Sequence, residues 1–171
     1  EVQAGVYFWA RARSWVAPDR VLLADATARS RATDELNASV SRIRPVVSEF
    51  GEATHALAQN ARFRLAQSLS DLSVVDPIDD ATRQKHRDEA LQVLSTPTTE
   101  PALMGYAELL RATLLASAGR HEEAQTHLEA AMKANPTPPA SDLLDTRVAI
   151  LCGRSRFAEA RKAVDEAKLP G

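Results

Sequence analysis

The sequence predicts an all-α protein: about three to four antiparallel helix pairs stacked in file, with a further helix at the N-terminus. Three observations carry that prediction. First, a small residue placed one helical turn ahead of an aliphatic one occurs in "DEALQVL" (88–94), "GRHEEAQTHLEAAMKANP" (119–136) and "AEARKAV" (158–164). The alanines Ala90, Ala124 and Ala160 are separated by 34 and then 36 residues, and Leu94, Leu128 and Val164 each follow four later. An interval of that size is one helix–turn–helix unit, which cannot bury its own apolar face and therefore stacks on its copies. Second, the breaks between periodic segments fall at proline and glycine, at Pro18, Gly51, 96–101, Gly119 and 135–139, while Pro45 stands inside a segment. Third, the chain is 44% hydrophobic but only 5% aromatic. A core of Ala, Leu and Val suits close helix packing, and β-branched or aromatic runs long enough for strands are missing.

The elements follow in order. "GVYFWARARSW" opens a first helix that Pro18-Asp19 ends, with Asp19 placed to cap the next. "RVLLADATARSR" continues helically, "TDEL" (33–36) supplies a further start signal, Pro45 predicts a kink or an early end, and Gly51 closes the segment. In "ATHALAQNARFRLAQSL", Leu57, Ala61, Leu65 and Leu69 recur every four residues along one face. "SVVDPIDD" (73–80) is a loop whose Asp79 or Asp80 caps the helix of "RQKHRDEALQVL". "TPTTEP" (96–101) breaks the chain before "ALMGYAELLRATLLASAG", which Gly119 ends in a left-handed cap. "NPTPP" stops the following helix, and "SDLLDTRVAILCG" with "RFAEARKAVDEA" forms the last pair, with Pro170 beyond it. The acids Asp88/Glu89, Glu122/Glu123 and Glu159 are expected in first turns, where the helix dipole favours negative charge.

Residues 105–136 resemble a tetratricopeptide repeat through Ala112, Leu115, Gly119, Ala124, Leu128, Ala131 and Pro136. Residues 139–169 match through Leu144, Leu151, Phe157, Ala160, Val164 and Ala167. Residues 57–97 match through Leu65, Ala66, Leu69, Ala90, Leu94 and Pro97, with an enlarged loop near 70–82. A degenerate copy is expected over 19–50, with Leu36, Val40 and Ile43 in its second helix. The family's tryptophan is missing, and Arg111 and Arg147 stand where an aliphatic is usual, which predicts rotated helices or buried arginine stems. The resemblance implies a right-handed α-solenoid over 19–169, preceded by an aromatic and arginine-rich helix over 1–18. It also implies a protein-binding adaptor or accessory factor rather than an enzyme. In the family geometry Asn60, Phe63, Gln67, Tyr106, Leu109, Thr113, Asp142 and Asp145 project into a concave face that takes an extended or helical segment. The basic clamp some relatives use for a terminal carboxylate is not found.

The N-terminal segment admits two readings. Tyr7, Phe8, Trp9 and Trp15 around Arg11 and Arg13 are either an amphipathic helix whose aromatics cap the core or the interfacial end of a membrane helix. This aromatic-arginine start before two repeats is similar to bacterial membrane-anchored tetratricopeptide-like proteins, which assist secretion or envelope chaperoning. That resemblance implies a structural, oligomeric subunit of a membrane-associated assembly, and a location either cytoplasmic or anchored and facing the periplasm. No apolar run is long enough to span a bilayer.

The remaining signals argue against chemistry. A net charge of −2 supplies no field for nucleic acid. His121 and His127 are six apart, not the four that lets two imidazoles grip one zinc, and His55 and His86 have no ligand pattern around them. All four are expected to face solvent. The single cysteine, Cys152, permits no intramolecular disulfide, has no base beside it, and is expected as buried filling. With no phosphate loop or nucleophile elbow either, neither cofactor nor metal is expected.

Overall fold

The computed structural model describes residues 1–17, 20–21, 24–75 and 79–167. Among these residues the protein is all-α: eight helices and no strand. They fall into two compact units, Glu1–Pro97 and Thr98–Gly171. The first holds α1 (Val2–Trp15), α2 (Ala26–Phe50), α3 (Ala56–Val75) and α4 (Asp80–Val93); the second holds α5 (Pro101–Ser117), α6 (His121–Lys133), α7 (Ala140–Gly153) and α8 (Phe157–Ala167).

In the first unit α1 packs on α2, α2 on α3 and α3 on α4, while α3 also touches α1. The helix in the middle is the most buried: Ala58, Ala61, Phe63, Leu65, Ala66, Leu69, Leu72 and Val75 of α3 are all in the core. Asp25 starts α2, its carboxylate accepting from the Ala28 N–H at 2.7 Å. From there one helix of 25 residues runs to Phe50. The start signal at 33–36 is therefore unused, and in place of the helix pair expected over 19–50 the described residues 24–50 hold one long helix, with Leu36, Val40 and Ile43 buried in it. Pro45 does not end it, because its exposed ring lies on the solvent side, where water can take the place of the missing N–H donor. Gly51, at φ 51°, closes the helix. The expected cap at Asp19 lies outside the described residues.

Two further corrections concern α3 and α4. Leu57 is exposed while Ala61, Leu65 and Leu69 are buried. A four-residue step overshoots one turn, so three such steps swing the side chain about 120° round the helix. The loop expected near 70–82 is shorter, since α3 runs to Val75 and α4 begins at Asp80. Asp79 caps α4, accepting from the Thr82 N–H at 3.0 Å, and this hydrogen bond holds its carboxyl below the usual range. Because α4 starts there, Asp88 and Glu89 lie in its later turns; Glu89 instead takes the guanidinium of Arg44 from α2 in a two-pronged hydrogen bond at 2.9 and 3.0 Å.

The second unit holds two helix pairs with matching turns. Helix α5 packs on α6, α7 on α8, and α7 also touches both helices of the first pair. The turns α5–α6 and α7–α8 each span three residues and are closed by the same hydrogen bonds: Arg120 N–H to Leu115 carbonyl at 2.9 Å, and Arg156 N–H to Leu151 carbonyl at 2.8 Å. This five-back bond demands a left-handed residue just ahead of the donor. Gly119 supplies it at φ 77°, and Ser155, 36 residues on, supplies it at φ 58°. In each turn the arginine forks onto the acid three residues later, Arg120 onto Glu123 and Arg156 onto Glu159. A side chain in the left-handed region is strained where glycine is not, so Ser155→Gly is expected to gain up to about 1 kcal/mol in urea unfolding. An unchanged or lowered midpoint would show that the Ser155 side chain compensates the strain.

The core of this unit is Ala107, Leu109, Ala112, Leu114, Leu115, Ala124, Leu128, Ala131, Ile150, Leu151, Ala160 and Ala163. Val164, expected to fill a gap between helices, is 50% exposed. Helix α8 turns Ala160 and Ala163 inward, and position 164 lies about 100° round from 163. Cys152 is likewise exposed rather than buried, one residue beyond the buried Leu151. Arg111 does bury its stem, whereas Arg147 is exposed.

Candidate functional site

In the first unit, α1 and α3 build one mixed polar and aromatic face. Positions 60, 63, 64, 67 and 71 share a side of α3 by helical spacing. Trp9 of α1 donates its indole N–H to the Asp71 carboxylate at 2.9 Å, and Arg13, one turn further along α1, reaches the same oxygen at 3.3 Å. The Arg13 guanidinium lies 5.2 Å from the Trp9 ring centre. Arg64 lies 6.0 Å from that ring and 5.5 Å from the ring of Phe63, and donates to the Gln67 side-chain oxygen at 2.8 Å. Of the residues expected here, Asn60 and Gln67 are partly exposed, while Phe63, only 5% exposed, is core.

Burial pushes the Asp71 carboxyl up to about 6, against the opposing pull of the Arg13 charge and of the hydrogen bonds from Trp9 and Arg13. The sign of the consequence is fixed. With a folded-state pKa above the unfolded one, the folded chain binds more protons between roughly pH 4 and 6, so stability falls as pH rises through that window. Asp71→Asn keeps an acceptor for Trp9 and removes the charge. Wild type minus variant, followed by urea unfolding between pH 4.5 and 7.5, is expected to decline with rising pH. A difference that rises instead would show that the pairing with Arg13 outweighs burial.

The N-terminal aromatics are divided. Trp9 is held against α3, Phe8 is partly buried, and Tyr7 and Trp15 are exposed. Tyr7 meets Phe8 edge-on at 5.6 Å, with Arg11 5.6 Å from its ring. Trp15 carries Arg31 of α2 at 4.5 Å, beside the Arg11–Glu35 ion pair at 2.8 Å. Among the described residues no helix is long and apolar enough to cross a membrane.

In the second unit, Tyr106, Leu109 and Thr113 share a side of α5, and Asp142 and Asp145 a side of α7. The Thr113 and Thr146 hydroxyls join the two helices at 3.0 Å. Tyr106, Thr113, Asp142 and Asp145 are exposed; Leu109, at 8%, is buried. A second network ties α5 to α6: Glu108 takes Arg111 at 2.6 Å through one oxygen and His127 Nδ1 at 2.6 Å through the other.

That network corrects the expectation of solvent-facing histidines. His127 is partly buried on Glu108, and the partly buried His121 ring lies over Gly153, where any Cβ would collide with it. His86 is also partly buried. Only His55 is exposed, and its Nδ1 accepts from the Ala58 N–H at 3.2 Å in the first turn of α3. Among the described residues no group of three His, Cys, Asp or Glu side chains could hold a metal ion.

Sequence reasoning missed Arg64 and Arg62, and placed Trp9 only in general terms, among aromatics capping the core in one of two readings. Arg62 is buried and donates to the Gly51 carbonyl at 3.0 Å and to that of Ala53, bracing the α2–α3 connection. The signal for Arg64 was present, because it stands between Asn60 and Gln67 on their own face. No local signal joins Trp9 to Asp71, 62 residues away. No family model, curated protein or solved structure matches the chain.

Proposed function

We propose that the protein is a non-enzymatic, tetratricopeptide-like interaction module, each unit being a two-pair segment of a right-handed solenoid that holds a peptide segment of a partner protein. The stacking of the second pair's leading helix on both helices of the first supports the solenoid, and so do the matched turns of the second unit. One observation carries the binding role: the leading helices of consecutive pairs set side by side the groups a peptide needs. These are the Asn60 and Gln67 amides on the side of α3 that carries Arg64, itself 6.0 Å from the Trp9 ring, in the first unit, and Tyr106, Thr113, Asp142 and Asp145 in the second. Amides and hydroxyls hydrogen-bond a backbone, and aromatics anchor a side chain.

Selection from displayed random dodecapeptides on the full chain tests this. Selected peptides are expected to lose binding to Asn60→Ala/Gln67→Ala or to Tyr106→Ala/Thr113→Ala. A selection that yields nothing, or peptides indifferent to both pairs, rejects the proposal. A second reading, a structural subunit of a membrane-associated assembly, draws on Phe157, 64% exposed, and Val164, which lie on one side of α8. Light scattering over a dilution series separates the two: an oligomer that persists on dilution favours the subunit, and a monomer throughout favours the adaptor.

A further inference from the structure

Resting on the peptide-binding reading, we infer that Arg64 is a carboxylate receptor, and that the segment bound across α1 and α3 carries an Asp or Glu side chain at that point.

Arg64 differs from three other arginines whose contacts define this fold: the exposed Arg13, the partly buried Arg111 and the buried Arg62. Arg13 meets Asp71, Arg111 meets Glu108, and Arg62 spends its donors on loop carbonyls. Among the described residues Arg64 has only the neutral Gln67 oxygen as an acceptor, and its Nε, like that of Arg83, is buried without a hydrogen-bond partner. The acid on its own face, Asp71, is already taken by Trp9 and Arg13. Burial lowers the Arg64 pKa, as expected of a charge that has lost water and gained no counter-ion. The guanidinium nevertheless lies 6.0 Å from the Trp9 ring centre and 5.5 Å from that of Phe63, within reach of cation–π attraction. A guanidinium held in this way and lacking an acid accepts a carboxylate through its terminal nitrogens, the buried Nε being out of a ligand's reach.

The surroundings favour a peptide over a polyanion. The ionised Asp71 carboxylate two turns along α3 and the net charge of −2 both oppose a continuous row of phosphates. A single acid in an otherwise uncharged segment meets Arg64 alone, with the Asn60 and Gln67 amides beside it for the backbone.

The test uses the full chain and displayed random dodecapeptides, followed by fluorescence anisotropy on the best acid-bearing peptide and its Asp→Asn or Glu→Gln twin. Wild type is expected to select acid-bearing peptides and to bind the twin about tenfold or more weakly. Arg64→Gln should bind both peptides alike, at the level of wild type with the twin. Arg64→Lys, which keeps the charge without the fork, should recover part of the preference, and circular dichroism of both variants should match wild type. Selected peptides without acids, a preference that survives Arg64→Gln, or a dodecanucleotide that competes as well as the acidic peptide would each overturn the inference and leave peptide binding standing. A selection that yields no peptide overturns both.

Discussion

Leu128→Ala is expected to cost about 2–5 kcal/mol in urea unfolding, whereas Val164→Ala, at the matching position of the sequence pattern, is expected to cost under about 1 kcal/mol. The two residues are equivalent by spacing: each follows its alanine by four, and the alanines are 36 apart. The structure separates them. Leu128 is 1% exposed in α6, a helix packed on both α5 and α7, so truncation leaves a cavity among fixed neighbours. Val164 is half exposed in α8, which packs only on α7 among the principal helix contacts, so truncation removes little that was shielded from water. Equal losses at the two positions would mean that α8 is covered in solution. That result would favour the oligomeric reading.

The same pair of residues shows what a sequence can and cannot convey. Helix identity, the breaks at Gly51, Gly119 and 134–139, and the paired turns were legible because each is written in local chemistry: spacing, a left-handed cap, a missing donor. The cap of α4 was legible as Asp79 or Asp80 for that reason, and Asp79 fills it. Burial was less so, because it depends on what lies across from a side chain. Leu57 follows the apolar period yet sits in the first turn of α3 and is exposed, and Phe63 and Leu109, expected to line a binding face, close the core beneath it. The candidate site was half legible. Asn60, Gln67, Tyr106 and Thr113 follow from helical position, but Trp9 and Arg64 acquire their roles only when α1 folds against α3.

Gly105→Leu is expected to destabilise the second unit by at least about 2 kcal/mol, a position the repeat pattern does not single out. Gly105 lies in α5, and a Cβ built on it would stand 2.9 Å from the Ala134 methyl, 2.9 Å from the Pro136 carbonyl oxygen and 3.0 Å from Cδ of Pro138. The connection between α6 and α7 thus lies directly on the α5 backbone at this point. Two effects compete. Replacing glycine inside a helix gains up to about 1 kcal/mol of backbone entropy. Overpacking costs about 1–3 kcal/mol, more when the obstacle cannot rotate away. Here it cannot, because a backbone oxygen and a proline ring stand in the way rather than the end of a flexible side chain. Gly105→Ala should therefore fall close to wild type or up to about 2 kcal/mol below it, and leucine well below both. Gly153 gives the contrast: its obstacle is the His121 ring, which can swing aside, so Gly153→Ala is expected to be the milder change. If Gly105→Leu unfolds at the wild-type urea concentration, the 134–138 connection does not rest on α5 in solution.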